Sequence, residues 1–392
     1  MLPTVLDYRH KARRYLPRLA FDYLDGGAER GVTLDRNQNA FKDVVWQPDV
    51  LVDVSRCDLK TTVLGCDMAM PAVVGPTGLN GLFRPGADIM LAQAAHAHGL
   101  PFAMSTASTS TLESVRDATS GALWLQLYVQ QSRAIAEDLM RRARDCGFTV
   151  LLLTVDVPVH GNRDHDKRNG FQLPLRLDAR LAWDVLRHPA WSMGMLTGGR
   201  PQLVNLAISS STRADIGTQA AALSRQMDMA LTWEDVRWLR RHWPGPIVVK
   251  GIQSVSDARR ALNAGVDGVV LSNHGGRQLD GVASPLTLLP QVVDAIGHSV
   301  QVLVDGGVRR GSDIAKAVAL GAQAVLLGRA PLYGVAAAGR QGAQDVLSIL
   351  RTELENTVRL LGREDIAGVR HVPITLTSQA HAIAQSSRHA VA

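Results

Sequence analysis

Residues 268–281 read GVVLSNHGGRQLDG. A glycine and three aliphatic residues with no polar alternation describe a short strand buried on both faces. Polarity then changes in one step, with Ser272, Asn273 and His274 running into a glycine pair and Arg277. Seven other stretches share this build, an aliphatic run that ends in polar or glycine residues. They are MPAVVGPTG (70–78), PFAMSTAS (101–108), LWLQLY (123–128), TVLLLTVD (149–156), PIVVKG (246–251), VQVLVDGG (300–307) and AVLLGR (324–329). Helical patterns lie between them. SVSDARRALNAGV (254–266) has Ser near its start and Gly near its end as cap signals, and GSDIAKAVALGA (311–322) is expected to open at Ser312. Eight strand–helix alternations predict an α/β fold, a single (β/α)8 TIM barrel rather than a doubly wound sheet. No Gly-x-Gly-x-x-Gly follows the first strand, which disfavours a dinucleotide fold.

The barrel is expected to occupy residues 1–380, with an N-terminal helical segment and an insertion at 173–215 between strands 4 and 5. Residues 381–392 read as a tail. The composition is that of a soluble globular enzyme, 46% apolar and 20% charged. A net charge of +6 spread along the chain, without a zinc-finger or RNA-recognition pattern, predicts no nucleic-acid partner and fits an anionic substrate or membrane surface. Cys57, Cys66 and Cys146 have no metal-ligand spacing, so no metal is expected and a reducing compartment is. The N-terminal MLPTVLDYRHKARRYLP lacks the apolar stretch of a secretory leader, and no window is apolar enough to span a bilayer.

Polar residues collect at one end of the strands: Thr77, Ser105, Gln126, Tyr128, Thr154, Asp156, Lys250, His274, Asp305 and Arg329. Barrel enzymes carry their chemistry on that rim. In VDGGVRRGSDIAKA (304–317), Gly306 and Gly307 let backbone N–H groups approach an anion, Arg309 adds charge, and a helix start follows. With Gly328–Arg329 after the eighth strand, this is the expected phosphate site. Flavin mononucleotide, FMN, fits such a site. Ser105, Gln126 and Thr154 offer hydrogen bonds to a ring, the turn Pro76–Thr77–Gly78 can lie on its face, and Lys250 stands where reduction brings negative charge. Taken alone, Lys250 reads equally well as a Schiff-base lysine.

With these residues assembled, the sequence resembles the FMN-dependent L-2-hydroxy-acid oxidase/dehydrogenase family. The likeness runs from FDYLDGGAER (21–30) to LLGRAPLYG (326–334) and includes SNHGGRQLDG, QLY, TVD, VKG and DGGVRRG in the family's order. GPTGLNG (75–81), STAS (105–108), PQLVN (201–205) and SRQMD (224–228) are most similar to the branch that oxidises mandelate. The resemblance implies oxidation of an (S)-2-hydroxy acid with an aromatic or bulky side chain to the 2-oxo acid, with electrons passed to a quinone-type acceptor. An L-lactate dehydrogenase or a hydroxy-acid oxidase is the alternative within the family, and an FMN barrel isomerase lies further off.

By matching position, His274 would be the base, Asp156 its partner, and Lys250 a support for reduced flavin. Arg163, Arg277 and Tyr23 would hold the substrate carboxylate, with Tyr128 near the reacting oxygen. Ser272 and Asp305 would join the cofactor site. Whether the base takes the Cα or the hydroxyl proton stays open. Ala107 would make a roomy pocket, and Gly78 resembles the dehydrogenase members rather than the oxygen-using ones. His160 reads as a plain loop histidine.

In LPLRLDARLAWDVLRHPAWSMGMLTGGRPQL (173–203), a polar stripe of Arg180, Asp184 and Arg187 is expected to face apolar residues including Leu177, Leu181, Trp183, Val185 and Leu186. Pro189 is expected to interrupt the helix before Trp191, Met193, Met195 and Leu196. That pattern and the resemblance imply a peripheral protein on the cytoplasmic side of a bacterial inner membrane, with a cytoplasmic protein the alternative, and the resemblance implies a homotetramer.

Overall fold

The computed structural model describes residues 1–169, 179–199, 201–205 and 226–377. Eight parallel strands close into a barrel: β1 (Ala72–Val74), β2 (Phe102–Ser105), β3 (Leu123–Leu127), β4 (Val150–Thr154), β5 (Ile247–Ile252), β6 (Gly268–Leu271), β7 (Gln301–Asp305) and β8 (Ala324–Leu327). Each lies inside one of the eight aliphatic stretches. Neighbours in sequence pair in space, and β8 returns to β1 with Val325 opposite Ala72.

The reason for unbroken apolar runs is now visible. One face of each strand meets the outer helices, and the other fills the barrel interior. Val73, Ala103, Trp124, Leu152, Val248, Val270 and Leu303 form an inner cluster. A short hairpin, Thr61–Val63 with Cys66–Met68, packs Val63, Leu64 and Met68 into that cluster. The Leu64 N–H donates to Gln301 Oε1 at 2.9 Å, at the start of β7. The end opposite the polar rim is therefore plugged with side chains.

The helices follow their caps. Ser254 Oγ accepts from the Asp257 N–H at 3.0 Å and opens helix Val255–Asn263 as expected. The helix expected to open at Ser312 runs Gly311–Ala319, and Asp313 Oδ2 accepts from the N–H groups of Arg309 and Arg310 at 2.8 and 2.9 Å. The first N–H of the helix itself, that of Gly311, donates to Glu353 Oε2 at 2.8 Å, so internal carboxylates occupy the helix start expected to face a phosphate. A long C-terminal helix, Arg329–Leu360, is kinked at Ala338–Gly339 and packs on the N-terminal helix Val5–Tyr15.

In the insertion, helix Ala179–Leu186 is followed by Pro189–Thr197, and Pro189 starts the second helix rather than breaking the first. The apolar residues divide between two directions. Leu181 and Trp191 are buried, and the Trp191 indole N–H donates to the Leu82 carbonyl at 2.9 Å. Val185 and Met195 pack against the core. Trp183, Leu186, Met193 and Leu196 face outward, 60–79% exposed. The expectation that Leu181, Val185, Trp191 and Met195 join an outer apolar face is corrected. Asp184 does not lie on a free stripe either, because its Oδ2 accepts from the Arg18 N–H at 2.6 Å. Leu177, residues 206–215 and the tail lie outside the described residues.

Candidate active site

At the C-terminal ends of the strands lies a cavity of about 760 Å³. His274 sits three residues beyond β6 with φ +58°, a left-handed conformation uncommon for a residue with a side chain. Its backbone N–H donates to Ser272 Oγ at 3.0 Å, and Gly275 and Gly276 follow with φ +64° and +75°. This tight turn sends the imidazole across the barrel mouth. The Nδ1–H donates to Asp156 Oδ1 at 3.0 Å, leaving Nε2 to face the Tyr128 hydroxyl at 3.4 Å.

Burial disfavours the imidazolium and lowers the His274 pKa, although the Asp156 carboxylate opposes the shift. His274 is therefore a neutral base at rest. Burial works to raise the Asp156 pKa, but the Lys250 charge and the hydrogen bond from His274 outweigh it and hold the carboxyl ionised. A buried base with an anion on its far nitrogen can accept a proton and keep the resulting cation paired.

Lys250, on β5, is almost fully buried. Its Nζ lies 2.9 Å from Asp305 Oδ2, at the end of β7, and donates to Ser272 Oγ at 2.9 Å. Burial alone would lower its pKa, but Asp305 and Asp156 reverse this and raise it. A fixed positive charge stands in the wall. A hydrogen-bonded row crosses β2, β3 and β4 beside it. Ser105 Oγ donates to Gln126 Oε1 at 2.8 Å, and Gln126 Nε2 donates to Thr154 Oγ1 at 3.0 Å. Thr77 Oγ1 and Asp305 Oδ1 are buried without a partner. Pro76, Thr77 and Gly78, after the neighbouring β1, also line the cavity, and a Cβ on Gly78 would stand 2.9 Å from that of Ala107.

Gly306 and Gly307 have φ +96° and +89°, and a Cβ on Gly307 would lie 2.1 Å from the Asn37 carbonyl oxygen. Only glycine fits this turn, which lines the cavity together with Arg309 and Gly328.

Arg277 and Arg163 hold the other side. The Arg277 guanidinium lies 4.8 Å from the Tyr23 ring centroid and Arg163 lies 5.7 Å from it. Arg277 Nη1 donates to the carbonyls of Tyr23 and Gly26 at 2.7 and 3.0 Å. Arg329 does the same for its surroundings: Nε, Nη1 and Nη2 donate to the carbonyls of Leu24, Gly275 and Gly26 at 3.2, 2.9 and 2.7 Å. Burial pushes its pKa down to about 9. The expected cofactor-binding arginine thus fastens the N-terminal segment to the His274 turn, while also lining the cavity.

The cavity brings nearly every residue expected from the sequence to one place. Asp156 and Ser272 stand behind the wall, each bonded to a residue that lines it. The sequence reading missed Phe83, Val157, Asp166, Leu203 and Met227 as lining residues. The quoted segments PQLVN and SRQMD contain the last two, but nothing in a single apolar letter marks it as facing a site. His160 also lines the cavity. Crowding by protein atoms and the charges of Arg163 and Arg277 push its pKa down to about 4, although its surface is open to solvent. Among the described residues no cluster could hold a metal ion.

Residues 12–375 match the family described as FMN-dependent dehydrogenase, and the chain belongs to this family of flavin enzymes that oxidise 2-hydroxy acids. It is 46% identical over 366 residues to (S)-mandelate dehydrogenase of Pseudomonas putida, covering 93% of this chain and 92% of that one. It is also 40% identical over 370 residues to L-lactate dehydrogenase of Caulobacter vibrioides, covering 94% and 96%. A crystal structure of the monotopic membrane protein (S)-mandelate dehydrogenase superposes with a TM-score of 0.90 at 46% identity, covering 94% of this chain and 97% of that one.

Proposed function

We propose that this chain oxidises (S)-mandelate or a related aromatic (S)-2-hydroxy acid to the 2-oxo acid and passes the electrons to a quinone-type acceptor. One observation carries the reading. A neutral His274, held between Asp156 and Tyr128, opens into the same cavity as Arg163 and Arg277. A proton acceptor beside two guanidinium groups suits a substrate with a carboxylate next to the reacting carbon.

FMN supplies an acceptor for two electrons when bound. The residues fit it: Ser105, Gln126 and Thr154 offer a polar row to a ring edge, and Thr77 Oγ1 and Asp305 Oδ1 have unmet hydrogen-bonding capacity. Pro76 to Gly78 would lie on the ring face and Lys250 would neutralise charge gained on reduction. Gly306, Gly307, Arg309, Gly328 and the backbone at Arg329 would take the phosphate, with Ser272 positioning Lys250 and His274 together. Arg277, Arg163 and Tyr23 orient the carboxylate, Tyr128 hydrogen-bonds the reacting oxygen, and His274 Nε2 takes the substrate proton. Asp156 then pairs with the imidazolium through Nδ1.

The reading includes peripheral attachment to the cytoplasmic side of a bacterial inner membrane, as a homotetramer. Its support is the outward row of Trp183, Leu186, Met193 and Leu196 on two short helices, in a structure whose described residues contain no helix long and apolar enough to cross a bilayer. The similar mandelate dehydrogenase is a monotopic membrane protein. An anaerobic titration tests the chemistry: mandelate should bleach the bound flavin faster than lactate or glycolate. No bleaching by any 2-hydroxy acid would overturn it and favour a non-redox use of the flavin.

A further inference from the structure

Two residues reach the active-site cavity from the connection between β4 and β5, one inside the insertion and one just beyond it. Leu203 precedes the undescribed residues 206–225 and Met227 follows them. Both side chains are buried, 2% and 7% exposed, and both line the cavity that holds His274. Neither is there by loose packing.

Two residues beyond Leu203, the buried Asn205 is fixed to the loop after β2. Its Nδ2 donates to the Ser110 carbonyl at 2.9 Å, and its Oδ1 accepts from the Leu112 N–H at 3.3 Å. That loop also carries Ala107. Met227 forms an antiparallel bridge to Gln130 in the loop after β3. The Gln131 N–H donates to the Gln226 carbonyl at 2.8 Å, and the Asp228 N–H to the Val129 carbonyl at 3.1 Å. Arg133 then grips Asp228 and Asp235 at 2.7 and 2.6 Å. Hydrogen bonds on both sides set the direction of the Met227 side chain.

Neither side chain can hydrogen-bond a carboxylate or a hydroxyl strongly, so what each offers is apolar contact. We infer that Leu203 and Met227 are specificity-determining residues, an apolar wall that receives the side chain carried on the substrate's reacting carbon. The inference rests on the proposed oxidation of a 2-hydroxy acid. It makes substrate choice a property of the insertion as well as of the barrel. A flexible thioether beside a branched aliphatic group suits a flat aromatic ring, whereas a methyl group would touch little of either.

The test compares kcat/KM for mandelate and for lactate in the holoenzyme, with flavin absorbance and circular dichroism as readouts of folding. Truncating an apolar wall costs a substrate that fills it roughly 10- to 100-fold. Leu203→Ala and Met227→Ala should each lower the mandelate-to-lactate ratio by about tenfold or more. Leu203→Met, close in volume, should hold that ratio within about threefold. A ratio unchanged in both alanine variants, with flavin retained, would overturn the inference. If an alanine variant loses its flavin, Leu203→Phe decides. It should narrow the wall and lower the ratio, and an unchanged ratio would again overturn the inference. Wild-type protein that oxidises neither acid overturns instead the proposed function on which the inference rests.

Discussion

Replacing Asp156 by asparagine removes one charge from the site and little else. The asparagine oxygen can still accept from His274 Nδ1–H, now 3.0 Å from the carboxylate, so the ring keeps its orientation. What is lost is the partner for the imidazolium that forms when His274 takes the substrate proton. The Asp156 side chain is only 2% exposed, so water does not replace it. A hydrogen bond to a charged group contributes up to about 3 kcal/mol against about 1 kcal/mol for a neutral one, so the lost assistance alone reaches about 2 kcal/mol. Unit charges 3.0 Å apart at an effective dielectric of 20 attract by roughly 5.5 kcal/mol, an upper bound. At 1.4 kcal/mol per factor of ten, these two figures correspond to about 30-fold and just under about 10⁴-fold. We expect Asp156→Asn to slow flavin reduction by about 10²–10³-fold, measured anaerobically by stopped flow with saturating mandelate.

The pH profile carries a second signature. His274 must be neutral to act, and burial already places its pKa below the ordinary 6.5, with Asp156 pulling the other way. In the native enzyme kcat/KM should therefore fall only as pH drops below that ordinary value. Without Asp156 the His274 pKa falls further, and the acid limb moves to lower pH even as the rate declines. A variant within threefold of native, or an acid limb displaced upward, would refute the reasoning.

His274→Asn should retain flavin while its reduction by substrate falls at least about 10²–10⁴-fold, and near-native reduction would remove His274 from the base role. Arg277→Lys keeps the charge but loses the planar fork and the two bonds to Tyr23 and Gly26, so both substrate affinity and reduction rate should drop in steady-state kinetics. Because Gly78, where a Cβ would crowd Ala107, resembles the residue of dehydrogenase-type members, reduced enzyme should reoxidise slowly in air and quickly with quinone-like dyes. Rapid peroxide release in an oxygen-electrode assay would contradict this. Replacing residues 179–199 by a polar linker should give a protein that no longer sediments with liposomes yet still reduces its flavin; the replacement must stop short of Leu203. Native protein that ignores anionic liposomes would defeat the membrane proposal.

The barrel was legible because a strand covered on both faces must be apolar throughout, and eight such runs have few other folds open to them. The rim was legible for the converse reason, since His274, Lys250 and Asp156 interrupt apolar runs where a buried charge needs a partner. Orientation was not. A helical wheel groups Trp183 with Leu181 and Trp191, but only the packing on Leu82 and its loop decides which of them face inward. Arg329 has a letter suited to phosphate, and its three carbonyl partners lie about 50 or 300 residues away, beyond any local pattern. Helix Gly311–Ala319 begins one residue before Ser312, with the Asp313 carboxylate holding the N–H groups of Arg309 and Arg310 just ahead of it.

The pairing of β8 with β1 sets the order in which this molecule can be completed. Val325 meets Ala72 across some 250 residues, and the same late stretch supplies Arg329, whose guanidinium fastens Leu24 and Gly26. As the chain emerges during synthesis, the first strand and the N-terminal helices have no such partners until almost the whole barrel has been made. Contacts this distant in sequence form slowly. A ribosome stalled before residue 324 would therefore display an open sheet whose first strand has one unpaired edge, with Leu24 and Gly26 lacking their bonds to Arg329. Sheet closure and assembly of the substrate-binding wall would arrive as one late event.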